Sequence, residues 1–586
     1  MRVFGIQSQS RVFRPFSAGT LMSNPESSVG WWQGAKPLRL VATLAIGLVL
    51  YVGLPKLAPA PNAKIFTGSV VVKPAPKGPK PAAQAPAPAP APKAQAATDA
   101  RSTLEASIRA QLETEAKAKA DADAKVKAEA DAKAATAAEK VRQADWVRGL
   151  HMFAIFLATI IGIIIRPLPM GAVAITGAAV CAFSGTLTIS QSLSGYSETA
   201  LWLIVVAFMF ARGFIKSGLG TRIAYFFIRL LGKRTLGLAY GMAATEFVLG
   251  PLVPSNTART AGVMMPIVRS LARAYGSNPD DGTARKIGAY LTMATFYIDL
   301  SISAMFLTAM AANPMTQKFA ADFGIKITWG NWFIAGIVPG IVSLLVVPYV
   351  LYLLYPPEIT HTPEAVEMAN AKLKEMGPVS TTEWLMIGVF AIVLVMWVFG
   401  DAYWGIDGTT AALVGLGLLL ITGVLKWSDV LSETNAWDVL FWTGTLIMMA
   451  GFLNKMGMIP WFSKVMAASM AGHSWKVAFL VLGLTYFYAH YFFASMTAHV
   501  GAMYAAFLGV SLACGAPPML AALVLCFFSN LHASMTHYGT GPAAAMFGQG
   551  FVPIVTWWRL GFIISVVNIV IWVGVGGAWW KVLGLW

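Results

Sequence analysis

Ser255-Asn256-Thr257-Ala258-Arg259 and Ser495-Met496-Thr497-Ala498-His499 are the two stretches that decide the fold. Each is a short polar interruption of strongly apolar sequence, and each places a basic residue at the same offset after a serine. A charged side chain at membrane depth costs about 2.5 to 3.5 kcal/mol on insertion scales, so a basic residue there needs a specific role. We interpret the two stretches as the tips of two hairpins that enter the membrane and meet at one polar site.

The composition is that of a polytopic membrane protein. Of the 586 residues, 57% are hydrophobic and 12% are charged, and the mean hydropathy is +0.63, which is more apolar than a soluble core requires. The net charge of +16 comes from Lys and Arg in inter-span loops and in one Ala/Lys-rich segment, without a motif that reads nucleic acid. Cys181, Cys514 and Cys526 lie in apolar segments and lack the spacing of a disulfide framework or metal site.

The N-terminal quarter is predicted to be a membrane anchor followed by a long polar segment. Residues 1–37 carry three arginines and one lysine against a single acid and precede an apolar run. We therefore predict a cytoplasmic tail over 1–37 and a retained signal-anchor helix, the first transmembrane helix, over 38–55, with a transit peptide or signal sequence as the alternative. Residues 56–148 form a Pro/Ala- and Ala/Lys-rich insert, for which we predict an extracytoplasmic polyproline-II spacer followed by a solvated helix.

The rest of the chain is predicted to be two repeats of one unit. We place the first transport repeat at 149–360, a cytoplasmic linker at 361–383 and the second transport repeat at 384–586. Three features recur in the same order and at similar separations, which is the signature of an internal repeat. They are the pairs Gly213-Phe214 and Gly451-Phe452, the two serine-bearing tips, and Thr308 before Pro314 with Thr536 before Pro542.

The distribution of basic residues gives the direction of the repeats. Lysines and arginines cluster between 216 and 234, whereas the loop from 185 to 199 has none, so the first of these regions is predicted to be cytoplasmic. Five spans plus one re-entrant hairpin make an odd number of crossings, which inverts the second repeat relative to the first. We predict an all-α polytopic membrane protein with two inverted repeats and one extra N-terminal span, with a binding site at the repeat interface.

The tips and two later interruptions supply the candidate binding residues. Hydroxyl and amide groups can donate hydrogen bonds to a carboxylate without carrying charge, and a helix that starts inside the membrane presents unpaired N–H groups that favour anions. Proline and glycine later in each repeat are expected to interrupt their spans and to expose backbone groups to a protein-lined cavity. The candidate substrate-binding residues are Ser255, Asn256, Thr257, Ser495, Met496, Thr497, Asn313, Pro314, Thr540, Gly541 and Pro542.

Arg259 and His499 are predicted to be fixed cations of the same site. The alternative is that both lie at the lipid interface with their charged ends in water, and for histidine a neutral ring is also readily available. Their matched positions in the two repeats favour the site. No catalytic residue, metal ligand or cofactor is predicted.

At these residues the chain resembles the divalent anion/sodium symporter family, most closely its 2-oxoglutarate/malate translocator and citrate/succinate exchanger branch. The resemblance spans roughly residue 152 to the C-terminus and rests on PSNTARTAGVMMP at 254–266, SAMFLTAMAANP at 303–314, SMTAH at 495–499 and THYGTGPAAAMFG at 536–548. It implies a secondary active transporter of dicarboxylates of the 2-oxoglutarate, malate and succinate class, not an enzyme. It also implies a dimerising scaffold domain, and a transport domain whose Ser-Asn-Thr tips bind the substrate carboxylates and move as an elevator.

Two departures from the family pattern bear on the mechanism. The second tip has Met496 where symporters of the family, which bind sodium beside each tip, have asparagine, and the 56–148 insert is far longer than the usual loop. When the positive charges of a carrier are fixed side chains, they move with the carrier in every transport step. The carrier without a bound anion should therefore change its orientation only slowly. We therefore predict obligatory anion:anion exchange, with sodium-coupled di- or tricarboxylate symport as the alternative.

Two other functional classes are compatible with the sequence. His490, His499, His532 and His537 could belong to an intramembrane metalloenzyme, although their spacing matches no zinc motif and no acidic residue joins them. The chain could also anchor its polar insert, which deletion of residues 60–140 would test. The predicted partners are dicarboxylates, the lipid bilayer and a second copy in a homodimer, but no nucleic acid. The predicted location is a bacterial inner membrane with the N-terminus in the cytoplasm, with a plastid envelope as the alternative.

Overall fold

The computed structural model is helical throughout its described part. It describes residues 36–57, 143–253, 255–470 and 472–586, with four isolated helical positions at 125, 133, 136 and 140. Apart from one isolated bridge between Arg234 and His361, these residues form no β-pairing. The predicted cytoplasmic tail, most of the 56–148 insert and Pro254 lie outside the described residues.

The first half of the described chain runs from α1 to α12. Its helices are α1 (Pro37–Leu57), α2 (Gln143–Ile165), α3 (Met170–Phe183), α4 (Ile189–Ser192), α5 (Thr199–Ser217), α6 (Leu219–Leu231), α7 (Thr235–Leu249), α8 (Met265–Ala274, preceded by a π-helical turn Ala258–Met264), α9 (Gly288–Met305), α10 (Asn313–Asp322), α11 (Trp329–Leu354) and α12 (Pro363–Met376). The predicted 361–383 linker is therefore largely a helix, α12, which packs on α6.

The second half runs from α13 to α24. Its helices are α13 (Thr381–Tyr403), α14 (Gly408–Ile421), α15 (Trp427–Leu431), α16 (Thr434–Lys455), α17 (Met458–Ser469), α18 (Trp475–Ala489), α19 (Met496–His499), α20 (Ala505–Ala513, joined to α19 by a π-helical turn Val500–Tyr504), α21 (Pro518–Leu531), α22 (Gly541–Phe547), α23 (Ile554–Val570) and α24 (Gly577–Val582, joined to α23 by a π-helical turn Ile571–Gly576). From α2 and α13 onwards, the two halves pass through long, short and interrupted helices in the same order.

Eight helices of the described chain are long and apolar enough to cross a membrane. They are Leu38–Lys56, Gln143–Ile165, Thr199–Ser217, Trp329–Leu354, Thr381–Tyr403, Thr434–Lys455, Met496–Ala513 and Ile554–Val582. Four shorter apolar helices accompany them: Met170–Phe183, Thr235–Leu249, Gly408–Ile421 and Pro518–Ser534. About 20 apolar residues are needed for a perpendicular span, so the chain is a multi-pass membrane protein that also contains shorter, interrupted segments.

Two glycines end a spanning helix at corresponding points of the two halves. Gly218 has φ 76° between α5 and α6, and Gly457 has φ 82° between α16 and α17. Left-handed backbone at a helix end is the conformation that glycine adopts without steric cost. The chain then turns into α6 and α17, two short helices that hydropathy alone did not reveal.

Two of the long helices, α11 and α13, begin at residues whose side chains cap them. Ser380 Oγ accepts a hydrogen bond from Glu383 N, and Glu383 Oε2 accepts one from Ser380 N, which makes a capping box at the start of α13. Thr328 and Asn331 cap α11 in the same way. Glu383 also pairs with Arg222 of α6 at 2.6 Å. This ion pair ties the start of the second half to the first.

The core is built around α9 and α21, the helices that follow the two tips. All 18 residues of α9 are buried, and α9 packs against α7, α11, α21 and α22. Every residue of α21 from Leu520 to Leu531 is buried as well. Both helices stop inside the protein, at Met305 and at Leu531, so each of these apolar segments is interrupted rather than continuous.

Candidate functional site

The chain leaves the helix immediately before each predicted tip, and a serine caps the helix that follows. In the first tip, Ser255 Oγ accepts a hydrogen bond from Ala258 N at 3.1 Å. In the second, Ser495 Oγ accepts one from Ala498 N at 3.3 Å. Both serines satisfy a backbone N–H that a helix start leaves unpaired. Because an accepting hydroxyl keeps its own proton, each can still donate a hydrogen bond to a ligand.

The two tips face each other across one cavity of about 250 Å³. The amide Nδ2 of Asn256 lies 3.7 Å from the sulfur of Met496, which makes a direct contact between the tips. The cavity is lined by Arg166, Met170, Phe208, Ser255, Asn256, Thr257, Met310, Ala311, Val439, Trp442, Ala494, Ser495, Met496, Thr497, Thr540 and Gly541. This lining holds five hydroxyl groups, one amide and one cation, with no acidic residue among the described residues that form it.

Arg166 is the cation of this lining, and the sequence analysis did not single it out. It follows the last residue of α2 and has φ 54°, a left-handed conformation that is uncommon outside glycine. Its Nη2 donates to the carbonyl of Ala494, beside the second tip, at 3.5 Å. Arg39 of α1 donates to Ile165 O at 3.0 Å, and the N–H of Lys36 donates to Pro167 O at 2.8 Å. The N-terminal end of α1 therefore holds the turn that carries Arg166.

Arg259, predicted to be a fixed cation of the substrate site, has its counter-charges within the protein. The guanidinium is fully buried and forms ion pairs with Glu246 at 2.8 Å and Asp299 at 2.7 Å. It also donates to the hydroxyl of Ser303 at 3.0 Å and to the carbonyls of Val253 and Ala309 at 2.7 and 2.5 Å. A guanidinium has five N–H donors, and these contacts use all five. Arg259 is absent from the cavity lining, and no donor remains for a substrate.

His499 also lies outside the cavity lining. It is fully buried beside His490 and His532, with ring centroids 5.3 and 4.6 Å away. His537 is separate from this group and accepts a hydrogen bond from Trp558 Nε1 at 3.1 Å. Three of the four histidines noted in the sequence therefore come together, which their spacing along the chain did not indicate.

The later interruptions contribute unequally to the cavity. Thr540 and Gly541 line it, whereas Asn313, Pro314 and Pro542 do not. A Cβ on Gly541 would overlap the side chain of Thr257, so glycine permits the close approach of the first tip to the second half. The two prolines occupy the first turn of α10 and α22, where a missing N–H costs no helical hydrogen bond.

The amide of Asn313 is occupied within the protein. Its Nδ2 donates to Ser303 O and Phe306 O, and its Oδ1 accepts from Asn530 at 2.9 Å. The predicted free carbonyls of this interruption are therefore largely satisfied by Asn313 and Arg259 instead of facing the cavity. Buried polar groups are normally paired in this way.

Two features of the sequence could have indicated these arrangements. Arg166 stands between the apolar run of α2 and Pro167, a cation directly at the end of a predicted span. Glu246 and Asp299 are acidic residues within apolar segments, and an intramembrane acid normally has a cationic partner. That rule would have paired Arg259 with them rather than with a substrate.

Comparison with known proteins supports the family resemblance that the tip sequences indicate. The family model described as the sodium:sulfate symporter transmembrane region matches residues 142–586. The putative malate transporter YflS of Bacillus subtilis (strain 168) is 55% identical over 437 residues, which cover 74% of this chain and 91% of that protein. The chloroplastic dicarboxylate transporter 1 of Arabidopsis thaliana is 50% identical over 440 residues, with 74% and 79% covered.

A citrate/succinate antiporter of Escherichia coli (strain K12) is 35% identical over 457 residues, with 74% of this chain and 93% of that protein covered. These relatives are named as transporters, which confirms the sequence-based interpretation that the protein is not an enzyme. The matched region begins within the last residues of the 56–148 insert and contains both tips. The chain belongs to the sodium:sulfate symporter family, which is the family of divalent anion/sodium symporters predicted from its tips.

Proposed function

We propose that the protein is a secondary active transporter of dicarboxylates of the 2-oxoglutarate, malate and succinate class, which bind in the cavity between the two tips. The observation that carries this proposal is the chemistry of the cavity wall, where five hydroxyls, one amide and Arg166 surround the space without an acidic side chain among the described residues. Such a wall attracts an anion and supplies donors to its oxygens. The names of the relatives, a malate transporter and a dicarboxylate transporter among them, support the same substrate class.

In this proposal the two tips bind the two ends of the substrate. Ser255 and Thr257 of the first tip would donate to one carboxylate, and Ser495 and Thr497 of the second tip to the other. Arg166 would supply the positive charge that the sequence analysis assigned to Arg259 and His499. Since a guanidinium can bind a carboxylate through two parallel hydrogen bonds, Arg166 would exchange its long contact with Ala494 O for a contact with the substrate.

We propose anion:anion exchange as the mode of transport. The named citrate/succinate antiporter at 35% identity supports exchange, and so does a cavity whose positive charge is a side chain that cannot be released. The alternative is sodium-coupled symport, which the description of the family model favours. For the architecture we propose two inverted repeats, an elevator motion of the tip-bearing helices, a homodimer and a bacterial inner membrane with a cytoplasmic N-terminus.

The test is uptake of labelled malate into proteoliposomes that are either empty or loaded with 2-oxoglutarate, each with and without a sodium gradient. Uptake that requires internal 2-oxoglutarate and ignores sodium is the expected result. Uptake into empty vesicles that follows the sodium gradient would replace exchange with symport. If neither malate nor succinate competes for uptake under any condition, the dicarboxylate assignment is wrong.

The Arg166→Ala variant tests the binding mode separately. We expect a rise of at least about tenfold in KM, because removing a charge-assisted hydrogen bond costs about 1.5 to 3 kcal/mol, with thermal stability in detergent little changed. Arg148→Ala, at the other end of α2 and outside the cavity, is the matched control. Equal transport by both variants would remove Arg166 from the site.

A further inference from the structure

We propose that His490, His499 and His532 form a transition-metal site, of the zinc or copper class, directly behind the second tip. The three residues come from three separate elements: His490 follows α18, His499 ends α19 and His532 follows α21. They are 1%, 0% and 2% exposed. One ring nitrogen from each histidine lies within 4.8 Å of one from each of the others, and the described residues contain no other group of three potential ligands of this kind.

Hydrogen bonding leaves most of these nitrogens without a partner. His490 Nε2 lies 3.0 Å from Gly539 O, and because a carbonyl only accepts, this nitrogen carries the proton. The lone pair of His490 is then on Nδ1. That atom and all four nitrogens of His499 and His532 make no hydrogen bond of ordinary geometry. Buried polar atoms are rarely left this way in folded proteins, so the three lone pairs are available to a ligand.

The pattern at His490 is that of a metal ligand. Histidines that bind a metal commonly donate the other ring N–H to a carbonyl or carboxylate, which fixes the tautomer. Here the Gly539 carbonyl does so. Three neutral imidazoles without a carboxylate suit zinc or copper rather than magnesium or calcium, which prefer oxygen ligands. A three-histidine set also leaves a fourth position open for a small ligand.

Binding requires a modest rearrangement of the rings. Zn–N bonds of about 2.0 to 2.1 Å in a tetrahedral site place the nitrogens about 3.3 Å apart. The rings of His490 and His532 are stacked at 3.8 Å, with 15° between their planes. Rotation of the His532 ring out of this stack moves its nitrogen toward the other two, a displacement of about an ångström or two for a side chain whose nitrogens have no hydrogen-bond partner.

The location gives such an ion an effect on the proposed substrate site. His499 follows Thr497 by two positions, and Gly539 directly precedes Thr540, so the cluster lies behind two residues of the cavity wall. A cation in a low-dielectric setting strengthens the attraction of the cavity for an anion. This functional consequence rests on the proposed function, whereas the metal site itself does not.

The experiment uses full-length protein purified without a polyhistidine tag and stripped of metal with a chelator. Titration with Co²⁺, a spectroscopic substitute for zinc, should give one equivalent per chain and the visible absorption of a low-coordinate Co²⁺ site, and Zn²⁺ should displace it. His532→Gln and His499→Gln should each weaken Co²⁺ binding by at least about tenfold. His537→Gln, which changes a histidine outside the cluster, should leave it unchanged.

The outcomes separate the metal site from the transport proposal. Absence of binding both in the Co²⁺ titration and in a parallel titration with Cu⁺, or binding that His532→Gln and His499→Gln leave intact, would overturn the site. Thermal unfolding of each variant in metal-free buffer shows whether it is folded before titration. Malate exchange is measured on the same stripped protein, so a chain that transports without metal and binds no Co²⁺ rejects only the metal site. A chain that binds Co²⁺ in the cluster but does not transport malate rejects only the proposed function.

Discussion

The two halves of the protein hold their interrupted helices together in different ways. In the first half, Arg259 links the break after α7 to the break after α9 through Val253 O and Ala309 O, and two buried carboxylates balance its charge. In the second half, two neutral hydrogen bonds, from His490 to Gly539 O and from the Tyr538 hydroxyl to Tyr491 O, join the break after α18 to the break after α21. The interrupted helices are therefore joined by a buried, charge-balanced guanidinium in the first half and by neutral groups in the second.

This difference predicts that the first tip is the more firmly fixed of the two. A buried ion pair that satisfies all of its donors cannot be opened without exposing uncompensated charge inside the protein. The histidines of the second half have no such constraint, since most of their nitrogens have no hydrogen-bond partner to lose. We expect the second tip to be where bound ligands alter the structure most.

Replacing Arg259 should have the largest effect of any single substitution in this comparison. Arg259→Met would leave Glu246 and Asp299 buried without their cation, and breaking a buried pair in this way costs about 3 to 5 kcal/mol. We expect little folded protein, measured by size-exclusion chromatography of the solubilised membrane fraction. His499→Phe, at the matched position of the second half, is the control and should remain folded.

A triple variant distinguishes an ionic role from a packing role. Arg259→Met combined with Glu246→Gln and Asp299→Asn removes all three charges while keeping the volumes similar. Recovery of folded protein would show that the loss in the single variant came from unpaired charge. If Arg259→Met alone folds normally and loses only substrate binding, the structural role of the Arg259 ion pairs is wrong. Arg259 is then again assigned as a substrate-binding cation.

The contact between the two halves gives the second-largest expected effect. Asn530 Nδ2 donates to Asn313 Oδ1 in the core, so Asn530→Leu leaves a buried acceptor unpaired at a cost of about 1 to 3 kcal/mol. Thermal unfolding in detergent should show the loss. Asn435→Leu, on the exposed start of α16, should change the free energy of unfolding by no more than about 0.5 kcal/mol. Similar stability of the two variants would mean that the bridge between the halves contributes nothing.

The sequence predicted the position of both tips and of both later interruptions, because proline, glycine and runs of hydroxyl residues have local effects on a helix in an apolar setting. It also predicted that the tips are close in space, which the contact between Asn256 and Met496 confirms. Eight of the eleven candidate binding residues line the cavity between them. These features depend on local chemistry and on internal similarity, and both are visible in one chain.

The sequence did not predict which charges meet. Glu246 lies in α7 and Asp299 in α9, with Arg259 and α8 between them along the chain, and only the packing of α7 against α9 brings the two acids to one guanidinium. Arg166 was missed for a similar reason, since its place in the cavity depends on a left-handed turn that α1 holds. Arg259 and His499 occupy matched positions in the two repeats, which suggested that they have the same role. Their surroundings differ, because Arg259 is paired with two acids and His499 lies beside two histidines.

A smaller effect is expected at His490, the second-half counterpart of the Arg259 links. His490→Phe in metal-free protein removes one neutral hydrogen bond, and we expect a loss of about 1 kcal/mol in the free energy of unfolding. The loss stays small because Gly539 adjoins the cavity wall, where water can bind the freed carbonyl. A loss as large as that of Arg259→Met would show that the second half is held as rigidly as the first.

The smallest effects are expected at the two capping serines, where the halves are most alike. Ser255→Ala and Ser495→Ala each remove a cap with nearly the same geometry, 3.1 and 3.3 Å to the N–H three positions on. Each should cost about 0.5 to 1 kcal/mol of stability, at the lower end for a cap because the cavity is open to water. Thermal unfolding without substrate measures this cost, and Ser→Thr at each position, which keeps a capping hydroxyl, is the control. The two caps match, whereas the contacts behind them differ. Equal losses of stability would therefore limit the difference between the two halves to Arg259 and the histidines. A markedly larger loss of stability at Ser495 would show that the tips themselves also differ.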